Sequence, residues 1–168
     1  MAAWYECKVS YLKTLENGKQ TKVSEVYLVD AVSFTEAESR IYKELGELLG
    51  EFNLDSVKKA RVSELIHNEN AYKWYKVKVN LTTVDEKSGK EIKSNQIILT
   101  SAESLKDAYD SVEDLFSGTV DDHEIVEIAF TPIVEIFPFY MKKVEEKVEN
   151  EAESSTSEEK DEYISEEA

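Results

Sequence analysis

From Trp4 to Leu12 the chain alternates between apolar and polar residues, as a strand does when one face meets a core and the other meets water. Tyr5, Cys7, Val9 and Tyr11 fall on the apolar side, with Trp4, Glu6, Lys8 and Ser10 on the other. The alternation returns 70 residues later, with Tyr75, Val77, Val79 and Leu81 set against Trp74, Lys76, Lys78 and Asn80. The chain's two tryptophans both sit in these Trp-Tyr pairs. Each run reaches a hairpin signal, Asn17-Gly18 or Ser88-Gly89, whose glycine tolerates the positive φ of a tight turn. The offset is now 71, so the second hairpin has gained one residue.

A second strand follows in each half, Val26–Val29 and Ile97–Thr100. Next come helix starts. Ser33-Phe34-Thr35-Glu36 is a capping box, and Ser104-Leu105-Lys106-Asp107 is a weaker version because Asp reaches less far than Glu. Behind them run matching apolar stripes, Phe34, Ala37, Ile41, Leu45 and Leu105, Ala108, Val112, Phe116. Each half closes with a strand ending at Ser63–Ile66 or Val134–Phe137. The order predicts an α+β fold of two tandem β-β-α-β repeats, residues 1–70 and 71–140, with mainly antiparallel sheet. A unit of three strands and one helix makes a marginal core alone, so the repeats are expected to share one core about a pseudo-twofold axis. The β-β-α-β order leaves each half's last strand free to pair with the sheet of the other half.

Charge adds a second division. The net charge is −16, and Val144–Ala168 holds 11 Asp and Glu against 2 Lys, leaving 25 acidic and 18 basic residues before it. A stretch so polar cannot bury enough apolar surface to offset its ordering entropy, so residues 141–168 are expected to be an acidic, disordered tail. Tyr163 and Ile164 are its late apolar anchor candidates, and Ser154–Ser157 beside Glu158 and Glu159 resemble an acidic-kinase substrate. Within the folded part, lysines gather on the hairpins and carboxylates on the helices, where Glu36, Glu38, Glu44 and Glu47 are matched by Asp107, Asp110, Glu113 and Asp114.

Catalytic patterns are missing. The sequence has no phosphate-cradling glycine loop, no G-x-S-x-G elbow and no H-E-x-x-H. A single Cys7 on an apolar strand face reads as a small buried hydrophobe, and one Cys with two His makes no zinc cluster. Asp121-Asp122-His123 is the one cluster of ligand-type residues, and adjacent residues on an extended segment rarely converge on one ion. No enzyme activity, cofactor or metal is expected, and no membrane span or signal peptide.

The opening Trp4-Tyr5-Glu6-Cys7-Lys8-Val9 resembles an uncharacterised domain-of-unknown-function family of Bacteroidetes and their phages. So do Tyr27-Leu28-Val29-Asp30-Ala31 running into Ser33-Phe34-Thr35-Glu36-Ala37-Glu38, then Trp74-Tyr75-Lys76 and Asp85–Gly89. The resemblance covers residues 4–140 and implies an intracellular setting in phage or mobile-element biology, cytoplasmic in the host. It supplies no activity.

Two readings of the tryptophans stay open. They pack in the seam between the halves or in a homodimer interface, where large aromatics contribute most. Alternatively they stack on bases while lysines meet phosphates, the combination that holds single strands. The second reading gives the concrete expectation of a non-enzymatic single-stranded DNA-binding protein. Trp4, Tyr27 and Trp74 would stack, and Lys8, Lys76, Lys78, Lys87 and Lys90 would contact phosphates. The acidic tail would regulate the groove and dock host or replication proteins. The alternative is a protein-interaction module engaging a host or phage protein through its acidic surface, which the net negative charge favours.

Overall fold

A computed structural model describes residues 3–119 and 121–139. The fold below is that of Met1–Ile136, and from Phe137 the chain belongs to a separate unit. The expected tail, with its regulatory and docking roles, lies outside the described residues.

The first half contributes β1 (Ala3–Thr14), β2 (Gln20–Ala31), α1 (Phe34–Leu49), β3 (Asn53–Ala60) and β4 (Glu64–Ile66). The second contributes β5 (Lys73–Val84), β6 (Glu91–Ala102), α2 (Leu105–Phe116), β7 (Asp122–Thr131) and β8 (Ile133–Phe137). The class is α+β, as expected, but each half is β-β-α-β-β and the strands form two sheets. Their orders are β3-β1-β2-β8 and β4-β6-β5-β7. The last strand of each half therefore lies in the sheet of the other. β4 runs parallel to β6, with Glu64 opposite Ile98 and Ile66 opposite Thr100, while the β1, β2, β3 and the β5, β6, β7 pairings are antiparallel.

The expected single closing strand is broken because its two parts serve different sheets. In the second half the break falls at Pro132, which has no N–H to give a ladder. In the first half it spans Arg61–Ser63, and Ser63 opens the crossing by donating its N–H to Ile97 O at 2.8 Å.

Local structure follows the sequence signals. Gly18 and Gly89 take φ of 79° and 67° in the hairpin turns. Thr14 pairs with Gln20 and Val84 with Glu91, so the second turn is the longer by one residue. At α1 the Ser33 hydroxyl accepts from Glu36 N at 3.1 Å, and the Glu36 carboxylate accepts from Val32 N at 2.6 Å. At α2 Ser104 accepts from Asp107 N at 3.2 Å, and among the described residues the shorter Asp returns no bond.

Each sheet carries its helix on one side. In the second, Tyr75, Val77, Val79, Leu81, Ile98 and Ala102 pack against Ala108 and Val112 of α2. In the first, Tyr5 and Ala31 meet Ala37 of α1. The inner sides of the two sheets meet in a third cluster, where Leu28 of β2 and Leu99 of β6 close on Trp74, Ile133 and Ile136. Trp4, Val26, Ala60, Val62 and Leu65 pack against that cluster from its margins.

Trp74 is 2 % exposed in this seam, so its truncation removes a large buried ring that both sheets share. Trp74→Ala is expected to lower unfolding free energy by about 3–5 kcal/mol, and the half-buried Trp4→Ala by less. Urea unfolding followed by far-UV circular dichroism measures both, and the seam predicts one cooperative transition for wild type and variants alike.

Candidate functional site

β5 has a residue period of two, which places Lys76 and Lys78 on the same side as Trp74, facing the other sheet. Where the apolar seam stops, these side chains line a cleft of about 590 Å³ between the sheets. Leu28, Ile97 and Leu99 give it apolar surface, and Asn95 and Thr131 add amide and hydroxyl groups. Arg61, in the break between β3 and β4, joins the two lysines in the lining. Glu6 and Glu127 are the acidic members, and Glu127 is the cross-strand partner of Lys78. Among the described residues Lys106 pairs with Asp110 and His123 with Glu113, whereas Arg61, Lys76 and Lys78 are in no ion pair. A larger hollow of about 890 Å³ beside the end of α1 has Lys22 and Glu51 as its charged lining residues and offers no comparable concentration of one sign.

The eight residues expected to meet nucleic acid separate into five groups. Lys76 and Lys78 share the cleft. Trp74 is sealed in the seam, its ring stacked on His67 at 5.6 Å, and Trp4 is half-buried at the margin of the same cluster. Tyr27 pairs with Cys7 and so faces the helix side, away from the tryptophans, and is 5 % exposed. Lys8 is exposed on the inner side of β1 without lining the cleft, and Lys87 and Lys90 sit in the β5–β6 turn. From Lys76 to that turn is about 25 Å of strand at roughly 3.3 Å per residue, so the turn lysines form no single site with the cleft.

Arg61 was the residue that strand alternation hid. Its signal lay in the other half: Pro132, 71 positions on, marks the strand break that both halves share. Asp121, Asp122 and His123 do not converge. His123 lies opposite Leu81 on the helix side, stacked on Phe116 at 5.0 Å and 3.2 Å from Glu113 of α2, whereas Asp122 lies opposite Thr82 on the other side. Among the described residues no group of three or more His, Cys, Asp or Glu is placed to hold a metal ion.

The fold and its cleft define an α+β protein of two four-stranded, mostly antiparallel sheets, with a recess of unpaired cations between them. The chain belongs to the family described as Domain of unknown function (DUF4494), whose family model matches residues 3–139. No curated protein matches it. No helix among the described residues is long and apolar enough to cross a membrane.

Two groups on the helix side are held protonated. The Tyr27 hydroxyl donates to Glu25 Oε2 at 2.6 Å, and Tyr11 donates to Glu25 Oε1 at 3.0 Å. Burial first, then the bond to Glu25, raises the Tyr27 pKa above its ordinary value. Cys7 has no exposed surface, and burial, with the Glu6 charge adding to it, pushes its thiol up to about 11. At pH 7 roughly one thiol in ten thousand is then thiolate. The native protein is expected to resist an aromatic disulfide reagent and to react with one equivalent once unfolded in urea. Rapid native labelling would contradict this burial.

Proposed function

We propose that the chain is a non-enzymatic, phage-related binding protein of the host cytoplasm that holds single-stranded DNA in the cleft between its sheets. One observation carries the reading: in a protein of net charge −16, Arg61, Lys76 and Lys78 line one recess and none is neutralised by an ion pair. Cations left unpaired in a concave, partly apolar site favour an anionic ligand. Phosphates of a flexible strand fit a recess of this size, whereas a duplex carries its phosphates on a stiff convex surface. Base stacking has a smaller share than the sequence suggested, because Trp74 and Tyr27 are buried and only the half-buried Trp4 borders the region. Glu6 and Glu127 oppose the ligand and hold affinity down. The like order of elements supports the further proposal that the halves are repeats related by a pseudo-twofold axis.

The interaction-module reading keeps its own support. Asp107, Asp110, Glu113 and Asp114 lie on one helix, whose one basic residue, Lys106, is tied to Asp110 at 2.8 Å.

Anisotropy of a labelled oligothymidine with the full chain tests the cleft. Three phosphate contacts predict a log–log salt slope of about −2, at roughly −0.7 per contact for a single strand. Lys76→Gln with Lys78→Gln is expected to weaken binding at least tenfold at low salt and reduce the slope to about −0.7. Absence of binding at low salt, or equal binding by the double variant, would overturn the proposal.

A further inference from the structure

The second sheet ends at β7, and among the described residues no strand lies along its outer edge. An edge of 10 residues offers open N–H and C=O groups to any extended segment. Proteins blunt such edges with lysine, charge or a bulge. The first sheet does so. β3 holds the corresponding place beside β1, with Lys58, Lys59 and Asp55 exposed. Asp55 is the extra residue of the bulge between Lys8 and Val9, and it accepts a hydrogen bond from Ser10 at 3.0 Å.

Seventy-one positions on, β7 has Val126, Ala129 and Phe130 where β3 has Asp55, Lys58 and Lys59. The bulge is retained, between Lys78 and Val79, but its extra residue is now Val126. Val126 is 45 % exposed and Phe130 62 %. All three guarding residues have become apolar on a strand in the same position. Core packing accounts for only part of the change: Phe130 meets the buried Tyr75 ring edge-on at 5.8 Å, yet it stays mostly in water and Val126 is nearly half exposed.

The flanking rows of side chains define what fits. On the helix side of β7 stand Ile125, Ile128 and Phe130, opposite Val79, Val77 and Tyr75. On the inner side stand exposed Asp122, Glu124 and Glu127. A strand added to this edge lays its alternate side chains beside both rows, where apolar pairs and opposite charges stabilise the pairing. We propose that β7 takes up, by strand addition, an extended segment of a partner protein in which apolar and basic residues alternate. A second copy of this chain is the poorer occupant, because β7 paired with itself gathers two sets of Asp122, Glu124 and Glu127 along one seam. The surface borders the cleft, sharing Glu127 and Phe130 with its lining, but it takes a cationic peptide where the cleft takes an anion, so the two readings are tested by ligands of opposite charge.

The probe is a labelled peptide of about eight residues alternating valine and lysine, titrated on the full chain by anisotropy at low salt. Its controls are the block isomer, valines then lysines, and the alternating peptide with a central proline. The alternating peptide is expected to bind at least about tenfold tighter than either control and to slow amide exchange in β7. Val126→Asp with Phe130→Lys, which restores two guards of β3, should abolish that advantage. Glu124→Lys with Glu127→Lys should transfer the preference to a valine–glutamate peptide, and it answers the question if the first variant fails to fold. The variant Arg61→Gln, Lys76→Gln, which leaves Lys78 beside Glu127, should bind the peptide as wild type does. Equal binding of the isomers, protection away from β7, or edge amides already protected in the free chain would overturn the proposal. So would a concentration-dependent dimer that the Val126→Asp, Phe130→Lys variant dissolves, because the occupant would then be a second copy.

Discussion

The fold depends on the apolar seam in which Leu28, Trp74, Leu99, Ile133 and Ile136 close against one another. Each helix covers one side of its sheet, which leaves a second side of each bearing large apolar groups. A sheet with a single helix would expose Leu28 or Leu99 and Trp74 to water, at a cost of about 1.5–3 kcal/mol for each large side chain. The exchanged strands make the seam obligatory. β8 comes from the second half and lies beside β2, and β4 comes from the first and lies along β6. Neither sheet is complete without the other half of the chain.

The cleft follows from the same constraint. Side chains on one side of a strand recur every two residues, so the register that turns Trp74 inward also turns Lys76 and Lys78 inward. Lysine is not buried without a partner. The seam must therefore end where the lysines begin, and the space beyond it stays open to water. Arg61 enters because the chain leaves β3 there to reach the other sheet. A basic recess between the sheets is a consequence of strand period, strand exchange and the cost of burying charge acting together.

Much of this was legible from alternation and turn chemistry. Both hairpins, both serine caps and the helical stripes from Ala37 and Ala108 onward could be read from the sequence, whereas the crossing of the last strands was only left open by it and the leading Phe34 and Leu105 of the stripes are exposed. The failures have definite causes. Alternation assigns sides within a strand but not between strands, so it grouped Tyr27 with the tryptophans. Only the pairing of Tyr27 with Cys7 shows that it faces α1. Alternation also ran through Arg61, Val62 and Ser63 without registering the break, since nothing in those residues forbids a strand as Pro132 does. Exposure of the tryptophans was undecidable for a related reason. A side bearing Trp, Lys and Asn is polar on average, yet here it is divided lengthwise into a dry part and a wet part.

The differences between the halves separate what folding requires from what it leaves free. Tyr42 of α1 stacks on Phe52 at 5.1 Å, and 71 positions on the same two places hold Glu113 and His123, joined at 3.2 Å. Either pair ties a helix to the start of the next strand, so the exchange of chemistry preserves one structural task. The change from Asp55, Lys58 and Lys59 to Val126, Ala129 and Phe130 preserves no such task, and it adds a ring contact, Phe130 edge-on to Tyr75 at 5.8 Å. The change removes the lysines that guard β3, leaves Asp122, Glu124 and Glu127 as charges of one sign on one side of the strand, and supplies apolar surface in water, which on solubility alone is a loss. The ring contact does not explain Val126, nor the larger part of Phe130 that remains in water, on one sheet when the other, built in the same order, avoids such exposure. The asymmetry is accounted for if the β7 edge is covered when the protein works.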